Sequence, residues 1–485
     1  MTRRPSPAVS LLAALAAPCC AAALVVARLA GTGAGPPADV PAVGEFSLPA
    51  TISQVTDVAL DARGNIVVAG TTYSPEFPVS TAAGARACGT DGDAFVLVLS
   101  PRAAVQYATC VGAATTEQWA YAAPAPDGSI WVAARTAPSV MPPGYGAGFA
   151  NDRTLLWRVT PGVAGGQEIT VAGPGFEFFP LDLEPAPDGS VWVLGSTTSA
   201  QMRTVNAWQP VIGGISDFVV ARYAPGRAEP LFLTYLGGRD GESQGRLAVA
   251  PDGDAVVLGI SGSADYPVVR PLQGAPRGSG DAVITRIDAS GRWIEYSTFL
   301  GGSDFEVTSL AAVDSVGNVY VAGYTYSADF PLTNRPPPWG ISRTRVFLSS
   351  LDAGGRLRFS TILDWGADTV DETSLSAGVR CIAPRANGSV LAVVGYHGDD
   401  WMRDGAFLAV TDRLGNSVRA PAAITLEAGP NFAVPGAVAG AREMYLVTVV
   451  PPWLFEQQWL LKVLPIDADD REPWPRRPGP TERRK

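Results

Sequence analysis

The stretch Asp314–Pro331, DSVGNVYVAGYTYSADFP, decides the fold. It reads as a tight turn at Gly317, a strand that is apolar on both faces, and a loop closed by an aromatic–proline pair. The same order returns at 61–78 as DARGNIVVAGTTYSPEFP and at 252–267 as DGDAVVLGISGSADYP. Turn, strand and loop recurring together at a long interval mark a repeat array and not a string of unrelated domains.

Working outward, the turn glycines Gly64, Gly128, Gly189, Gly253, Gly317 and Gly388 fall about 64 residues apart. A second block follows each turn strand: DAFVLVLSP from Asp93, DFVVARYAP from Asp217, DAVITRIDASG from Asp281 and GAFLAVTDRLGN from Gly405. A third closes the repeat, as YATCVGA from Tyr107, LTYLGG from Leu233 and YSTFLGG from Tyr296. The strand ahead of each turn, such as VTDVALD before Gly64, makes the fourth. Four short strands joined by hairpin turns, with glycine where a positive φ is needed, form a propeller blade. Strands such as VYVAG and IVVAG suit a blade packed between two neighbours, because a sheet with one wet side would alternate.

The last segment supplies three strands, around 433–438, 444–449 and 459–463, and GEFSLP at Gly44–Pro49 is a spare strand ahead of the first repeat. Pairing the spare with the last three predicts an all-β fold, a single β-propeller of seven four-stranded blades. The N-terminal strand would close the ring, covering edges that an open array would expose. The organisation expected is an export signal or N-terminal anchor at 1–34, a linker at 35–43, the propeller at 44–466 and a disordered tail at 467–485. The first segment carries Arg3 and Arg4 and then an apolar run to Val26. Cleavage, retention as a single-pass anchor, or lipidation at Cys19 or Cys20 all fit that pattern, although Pro18 departs from a lipobox.

Composition limits the chemistry. The chain of 485 residues is 47% hydrophobic and only 17% charged, with a formal net charge of -10. Arg3, Arg4, Arg28, Arg471, Arg476, Arg477, Arg483, Arg484 and Lys485 lie near the termini, so the middle is more acidic still, which argues against nucleic acid as a partner. His397 is the one histidine, and lysine occurs only at Lys462 and Lys485. No His-based metal cluster and no Walker A lysine can be assembled from that inventory. Sites made of carboxylates and carbonyls stay open.

In a propeller, the loop from one blade's last strand to the next blade's first shares a face with the loop between second and third strands. The acidic residues Glu117, Asp240, Glu242, Asp304, Glu306, Asp368, Asp371 and Glu372 recur there, once per blade near the central channel. They are candidates for binding Ca²⁺ or a cationic ligand, since a hard cation needs oxygen ligands; as turn residues and solvated charges they would bind nothing. The pairs Phe77–Pro78, Tyr266–Pro267 and Phe330–Pro331 sit on the same face, either as a stacking surface or as caps on their own blades. Trp401 and Tyr145 depart from the repeat and are candidates for specific contacts. Cys88 and Cys110 flank a hairpin of the first blade, and export would permit a disulfide between them.

The blocks together resemble the SBBP family of bacterial beta-propeller repeats, whose pattern runs DAFV, YSTYLGG, an acidic loop, DxxGN, VYVAGxT and F-P. Asp281–Pro331 contains all of it, with Phe299 in place of a tyrosine. Repeats near Gln118 and Thr373 have drifted: 131–135 lacks the closing glycine, and neither turn strand is followed by F-P. The resemblance spans nearly all of 50–430. It implies an exported or surface-associated propeller and no defined reaction. Three functions follow as expectations. The first is a non-enzymatic, monomeric binding module for a protein, glycan or cationic ligand, outside the cell, at its surface or in the periplasm, and without a cofactor unless Ca²⁺ serves. The second is a carboxylate-based hydrolase or lyase working in the channel, and the third a purely structural envelope protein. Membrane contact would come only through an uncleaved N-terminal segment.

Overall fold

The computed structural model describes residues 44–467 apart from 50–51, 103, 113–115, 138–152, 165, 173–177, 335–344, 364–375, 386, 398–404, 418–421, 425–435, 440–442 and 451–457. Every described element is a strand. Among these residues no helix is long and apolar enough to cross a membrane.

The strands form four-stranded antiparallel sheets in which spatial order follows chain order. The first is β2 (Ile52–Leu60), β3 (Ile66–Thr72), β4 (Asp93–Leu99) and β5 (Val105–Val111). The second is β6 (Thr116–Pro124), β7 (Ile130–Ala137), β8 (Arg153–Val159) and β9 (Gln167–Ala172). The third is β10 (Phe178–Pro185), β11 (Val191–Thr197), β12 (Asp217–Tyr223) and β13 (Phe232–Leu236). The fourth is β14 (Glu242–Val249), β15 (Ala255–Ser261), β16 (Asp281–Ile287) and β17 (Ile294–Leu300). The fifth is β18 (Glu306–Val313), β19 (Val319–Thr325), β20 (Arg345–Leu351) and β21 (Leu357–Ile362). The sixth is β22 (Ser376–Pro384), β23 (Val390–His397), β24 (Gly405–Thr411) and β25 (Ala422–Ile424). The remaining sheet orders β1 (Gly44–Pro49), β28 (Gln458–Asp467), β27 (Glu443–Val450) and β26 (Gly436–Ala439) side by side.

The repeated turn explains itself in hydrogen bonds. Asp314 Oδ1 accepts the N–H groups of Val316 (3.0 Å) and Asn318 (2.9 Å), and its Oδ2 accepts from Asn318 Nδ2 (2.7 Å). Gly317 then takes φ 85°, a left-handed conformation that a side chain would oppose. Asp61 holds Arg63 and Asn65 in the same way, each N–H at 2.8 Å. The short carboxylate at the start of DxxGN is therefore the clasp of the turn between first and second strands.

Among second and third strands, β3, β4, β12, β15 and β16 are buried from end to end. Their two faces fill two cores, one against each neighbouring sheet. Val67, Ala69 and Val96 pack with Ala122, Val132 and Leu155 of the second sheet, while Val68, Phe95 and Leu97 turn the other way. Fully burying one such valine or leucine is worth about 1.5–3 kcal/mol, so a sheet with both faces wet would forfeit most of its stabilisation. The aromatic of each F-P loop closes its own blade. Phe330 stacks on Phe347 at 4.7 Å, Phe77 meets Phe95 at 4.9 Å and Tyr266 meets Phe299 edge-on at 5.8 Å. All three are buried, which gives them the capping role.

On the opposite end, arginines of the third strands reach down to the turns. Arg222 bonds Asp188 at 2.9 Å and lies over the Trp192 ring at 5.4 Å; Arg158 pairs with Asp127 and lies over Trp131. Cys88, in the loop between β3 and β4, forms a disulfide with Cys110 of β5, with Cα atoms 5.3 Å apart. Cys381 is buried as a free thiol.

Candidate functional site

The acidic residues singled out in the sequence divide into two kinds. Glu117, Glu242 and Glu306 stand at the starts of β6, β14 and β18 and are buried to 2% exposure or less. Glu242 Oε1 accepts from Ser261 Oγ (2.7 Å) and Ser263 Oγ (2.8 Å), and Glu306 Oε1 from Thr325 Oγ1 and Ser327 Oγ, both at 2.6 Å. These carboxyl groups turn into the junction between sheets. Asp240 and Asp304 are exposed in the loops above, their own backbone N–H groups held by Ser263 and Ser327. Asp368, Asp371 and Glu372 lie outside the described residues, as do Trp401 and Tyr145. Among the described residues no group of three or more His, Cys, Asp or Glu side chains is placed to hold a metal ion.

A different polar set occupies the first strands, which neighbour one another from sheet to sheet. It comprises Asp57 of β2, Asp182 and Glu184 of β10 and Arg246 of β14, all half-buried. Local irregularity positions the two aspartates. The pairing of β2 with β3 shifts between Val55 and Asp57, and that of β10 with β11 between Pro180 and Asp182. Such a bulge re-aims the side chain that follows it. Each aspartate consequently reaches the next first strand. Asp57 Oδ1 accepts from Val58 N (2.8 Å) and Oδ2 from Ala122 N (2.9 Å); Asp182 Oδ1 accepts from Leu183 N (2.9 Å) and Oδ2 from Leu247 N (2.7 Å).

Burial pushes the Asp57 carboxyl up to about 6, and the charge of Asp182 adds to the rise, while Arg246 and the two N–H bonds oppose it. Asp182 is likewise raised by burial against the pull of Arg246. Glu184 is held well above the usual carboxylate range, by burial first and then by Asp182 and Asp57. Three carboxyl groups from two strands therefore feel one another around the axis. At the turn end, Pro126, Pro185, Pro187, Pro251, Val249 and Val313 rim an open hollow of about 410 Å³.

The sequence offers a faint signal for this set. The strand between bulge and turn reads TDVALD at 56–61 and LDLEP at 181–185, and an acidic residue inside an otherwise apolar strand is an anomaly that could have been flagged.

No curated protein matches the sequence. Among solved structures, hydrazine synthase of Kuenenia stuttgartiensis is similar over 90% of this chain and 99% of its own, at 11% identity and a TM-score of 0.43. A PL25 ulvan lyase, solved bound to a GlcA–Rha3S repeat, is similar over 87% of this chain and 96% of its own, at 8% identity and a TM-score of 0.48. A protein of unknown function from Dyadobacter fermentans covers 73% of this chain and 96% of its own, at 12% identity and a TM-score of 0.38. These likenesses carry no argument about chemistry. The family comparison is local and specific, since the model of the SBBP beta-propeller repeat matches residues 295–331, which span β17, β18, β19 and the F-P loop. The chain thus carries an SBBP beta-propeller repeat, set in a fold of four-stranded antiparallel sheets.

Proposed function

We propose that the protein is an exported seven-bladed propeller that works as a non-enzymatic binding module, taking a cationic or hydroxyl-rich ligand at the axis. Ring closure is supported by the antiparallel pairing of β1 with β28, from Gly44 opposite Val463 to Pro49 opposite Gln458. The placing of β26 beside both β22 and β2 supports it too. The Cys88–Cys110 disulfide supports export, because such bonds persist in oxidising compartments. The segment 1–34 is then the export signal or anchor, 35–43 a linker and 467–485 a tail.

The observation that carries the binding reading is the use made of Asp57 and Asp182. Every oxygen of both carboxyl groups already accepts a backbone N–H, so they are fixed in place as charges. The single donor on each oxygen orients the group and leaves a second lone pair free for a ligand. Fixed negative charge beside Arg246 suits recognition of a cation or a polyol.

A thermal-shift screen of the full chain against Ca²⁺, chelator, polyamines and a glycan panel tests this. A shift that Asp182→Asn and Glu184→Gln both weaken is expected, and no shift with any ligand would sink the proposal. The hydrolase or lyase reading is favoured by one observation, the raised Glu184 carboxyl, which would suit a general acid. Release of reducing or unsaturated ends from a polysaccharide panel, abolished by Glu184→Gln, would establish that reading instead.

A further inference from the structure

The buried glutamates at the starts of the first strands face a second carboxyl group. A side chain on Gly237 would collide with Glu242 Oε2 and would stand 2.6 and 2.7 Å from Asp217 Cγ and Oδ1. One on Gly301 would collide with Glu306 Oε2 and with the carboxyl of Asp281. Each glycine is bare because two carboxyl groups from adjacent sheets occupy the space over it. Donors saturate the outer oxygen of Asp217, where Oδ2 accepts from Gln209 Nε2 and Gly213 N, both at 2.8 Å. Asp281 is supplied on both oxygens: Oδ2, beside Glu306 Oε2 over Gly301, accepts from Gln273 Nε2 (2.6 Å) and Arg277 N (3.0 Å), and Oδ1 from Gly278 N (3.0 Å). Glu242 Oε1 and Glu306 Oε1 are filled by their hydroxyl pairs. Between Glu242 and Asp217 donors run out. Glu242 Oε2 has one long bond from Gly238 N at 3.3 Å, and Asp217 Oδ1, on a side chain with no exposure, is left with no hydrogen-bond partner.

Two anionic oxygens buried face to face without a donor between them cost several kcal/mol. We propose that Glu242 and Asp217 hold one proton between Oε2 and Oδ1, and that this carboxyl–carboxylate bond latches neighbouring blades together. The proton supplies the donor that Asp217 Oδ1 lacks. Burial raises Glu242 to about 7 with Asp217 contributing, and Glu306 rises for the same reasons. The other charged groups at the junctions are committed elsewhere. Arg239 pairs with Asp265, Asp329 accepts from Ser303, Asp240 and Asp304 are exposed, Tyr266 bonds Thr285 and Arg246 faces the axis.

The first junction supplies an internal contrast. Arg86, Gln209 and Gln273 are equivalent, each with its backbone N–H on a threonine of the last strand: Thr109, Thr234 and Thr298. Gly112 there lies against Glu117 and Asp93, as Gly237 and Gly301 lie against their pairs. Arg86 bonds the carbonyl of Gly112 and stands 3.5 Å from Asp93 Oδ1. A permanent cation takes the place of glutamine plus proton.

The test is urea unfolding of the full chain between pH 4 and 8.5. The sign follows from linkage: a folded-state pKa above the unfolded 4.5 gives stability that is complete below that value and is lost as pH rises through about 7. Glu242→Gln puts an amide N–H where the proton sits. Its folding constant is expected within about twofold of wild type at pH 4.5 and at least about tenfold above it at pH 8. A constant at or below wild type at pH 8 overturns the proposal. Arg86→Gln should add a new loss of stability between pH 5 and 8, and an unchanged pH slope in that variant also overturns it. So would stabilisation of wild type by Ca²⁺ at pH 8 that chelator reverses and Glu242→Gln removes, because a metal ion would then occupy the gap. Should Glu242→Gln not fold, Arg86→Gln and the infrared band of a protonated carboxyl near neutral pH, recorded in Glu184→Gln so that Glu184 does not contribute, decide the matter; absence of that band overturns the shared proton.

Discussion

Trp131 donates its indole N–H to the carbonyl of Gly189 in the next blade, 3.1 Å away. Trp192 repeats the contact one blade on, to Gly253 O at 3.2 Å. Each tryptophan thus spans the interface at the turn end and caps the glycine that makes the turn. Trp131→Phe keeps most of the buried ring but strips the carbonyl of its donor, and a loss of about 1–2 kcal/mol is expected from the urea midpoint. Loss of the same size from Trp192→Phe, adding to the first in the double variant, would mark the two junctions as independent.

In the fourth blade the tryptophan position holds Val256, which cannot donate. Arg286 of the third strand does the work directly: its Nη1 reaches Gly317 O at 3.1 Å while Asp252 (2.7 Å) and Asp254 (2.9 Å) hold the rest of the guanidinium. Asp254 is nearly buried, so Arg286→Met leaves a charge without its partner. The cost expected is about 3 kcal/mol, at the low end for a broken buried pair because Asp252 stays solvated. Double variants of Arg286 with Asp254 should recover part of it; an unchanged midpoint in Arg286→Met would remove Arg286 from the junction.

The repeat made the architecture legible before any coordinates, because glycine turns and doubly apolar strands follow from backbone geometry alone. DxxGN could be read as a turn, and Asp314 does clasp it. The site was harder to read for two physical reasons. Glu242 and Glu306 follow acidic loops and read as part of them, and only the three-dimensional meeting of hydroxyl pair, glycine and aspartate shows them buried at the strand starts. Asp57 and Asp182 reach the axis through a bulge, and a one-residue shift of register leaves no mark in an apolar strand. Trp131 and Arg286 do one job from two different strands, an exchange that no single-position pattern records.

The Cys88–Cys110 bond joins residues 22 apart and pins the loop before β4 to the outer strand. Closing a loop of that length should contribute about 3 kcal/mol through the unfolded chain. Thermal melts with and without reductant, compared with the Cys88→Ser, Cys110→Ser double variant, check it. Reductant should lower the midpoint of wild type and leave the double variant unmoved.

Glu184 gives the axis its own dependence on pH. Its carboxyl is raised by burial and by the charges of Asp182 and Asp57, so the folded chain keeps that proton when the unfolded chain would release it. The contribution is complete below 4.5 and declines as pH rises above it, the direction set by a raised folded-state value. Glu184→Gln removes the ionisation while keeping the shape. The urea midpoint of this variant should equal that of wild type at pH 5 and exceed it at pH 8.5. Asp182→Asn instead removes the charge that adds to the rise of Asp57, and the Asp57 carboxyl, followed by carbon-detected NMR, should titrate lower in that variant than in wild type. A Glu184→Gln variant less stable than wild type at both pH values would mean that Glu184 makes a bond the fold needs, and the axis would then be a structural seam instead of a charged binding surface.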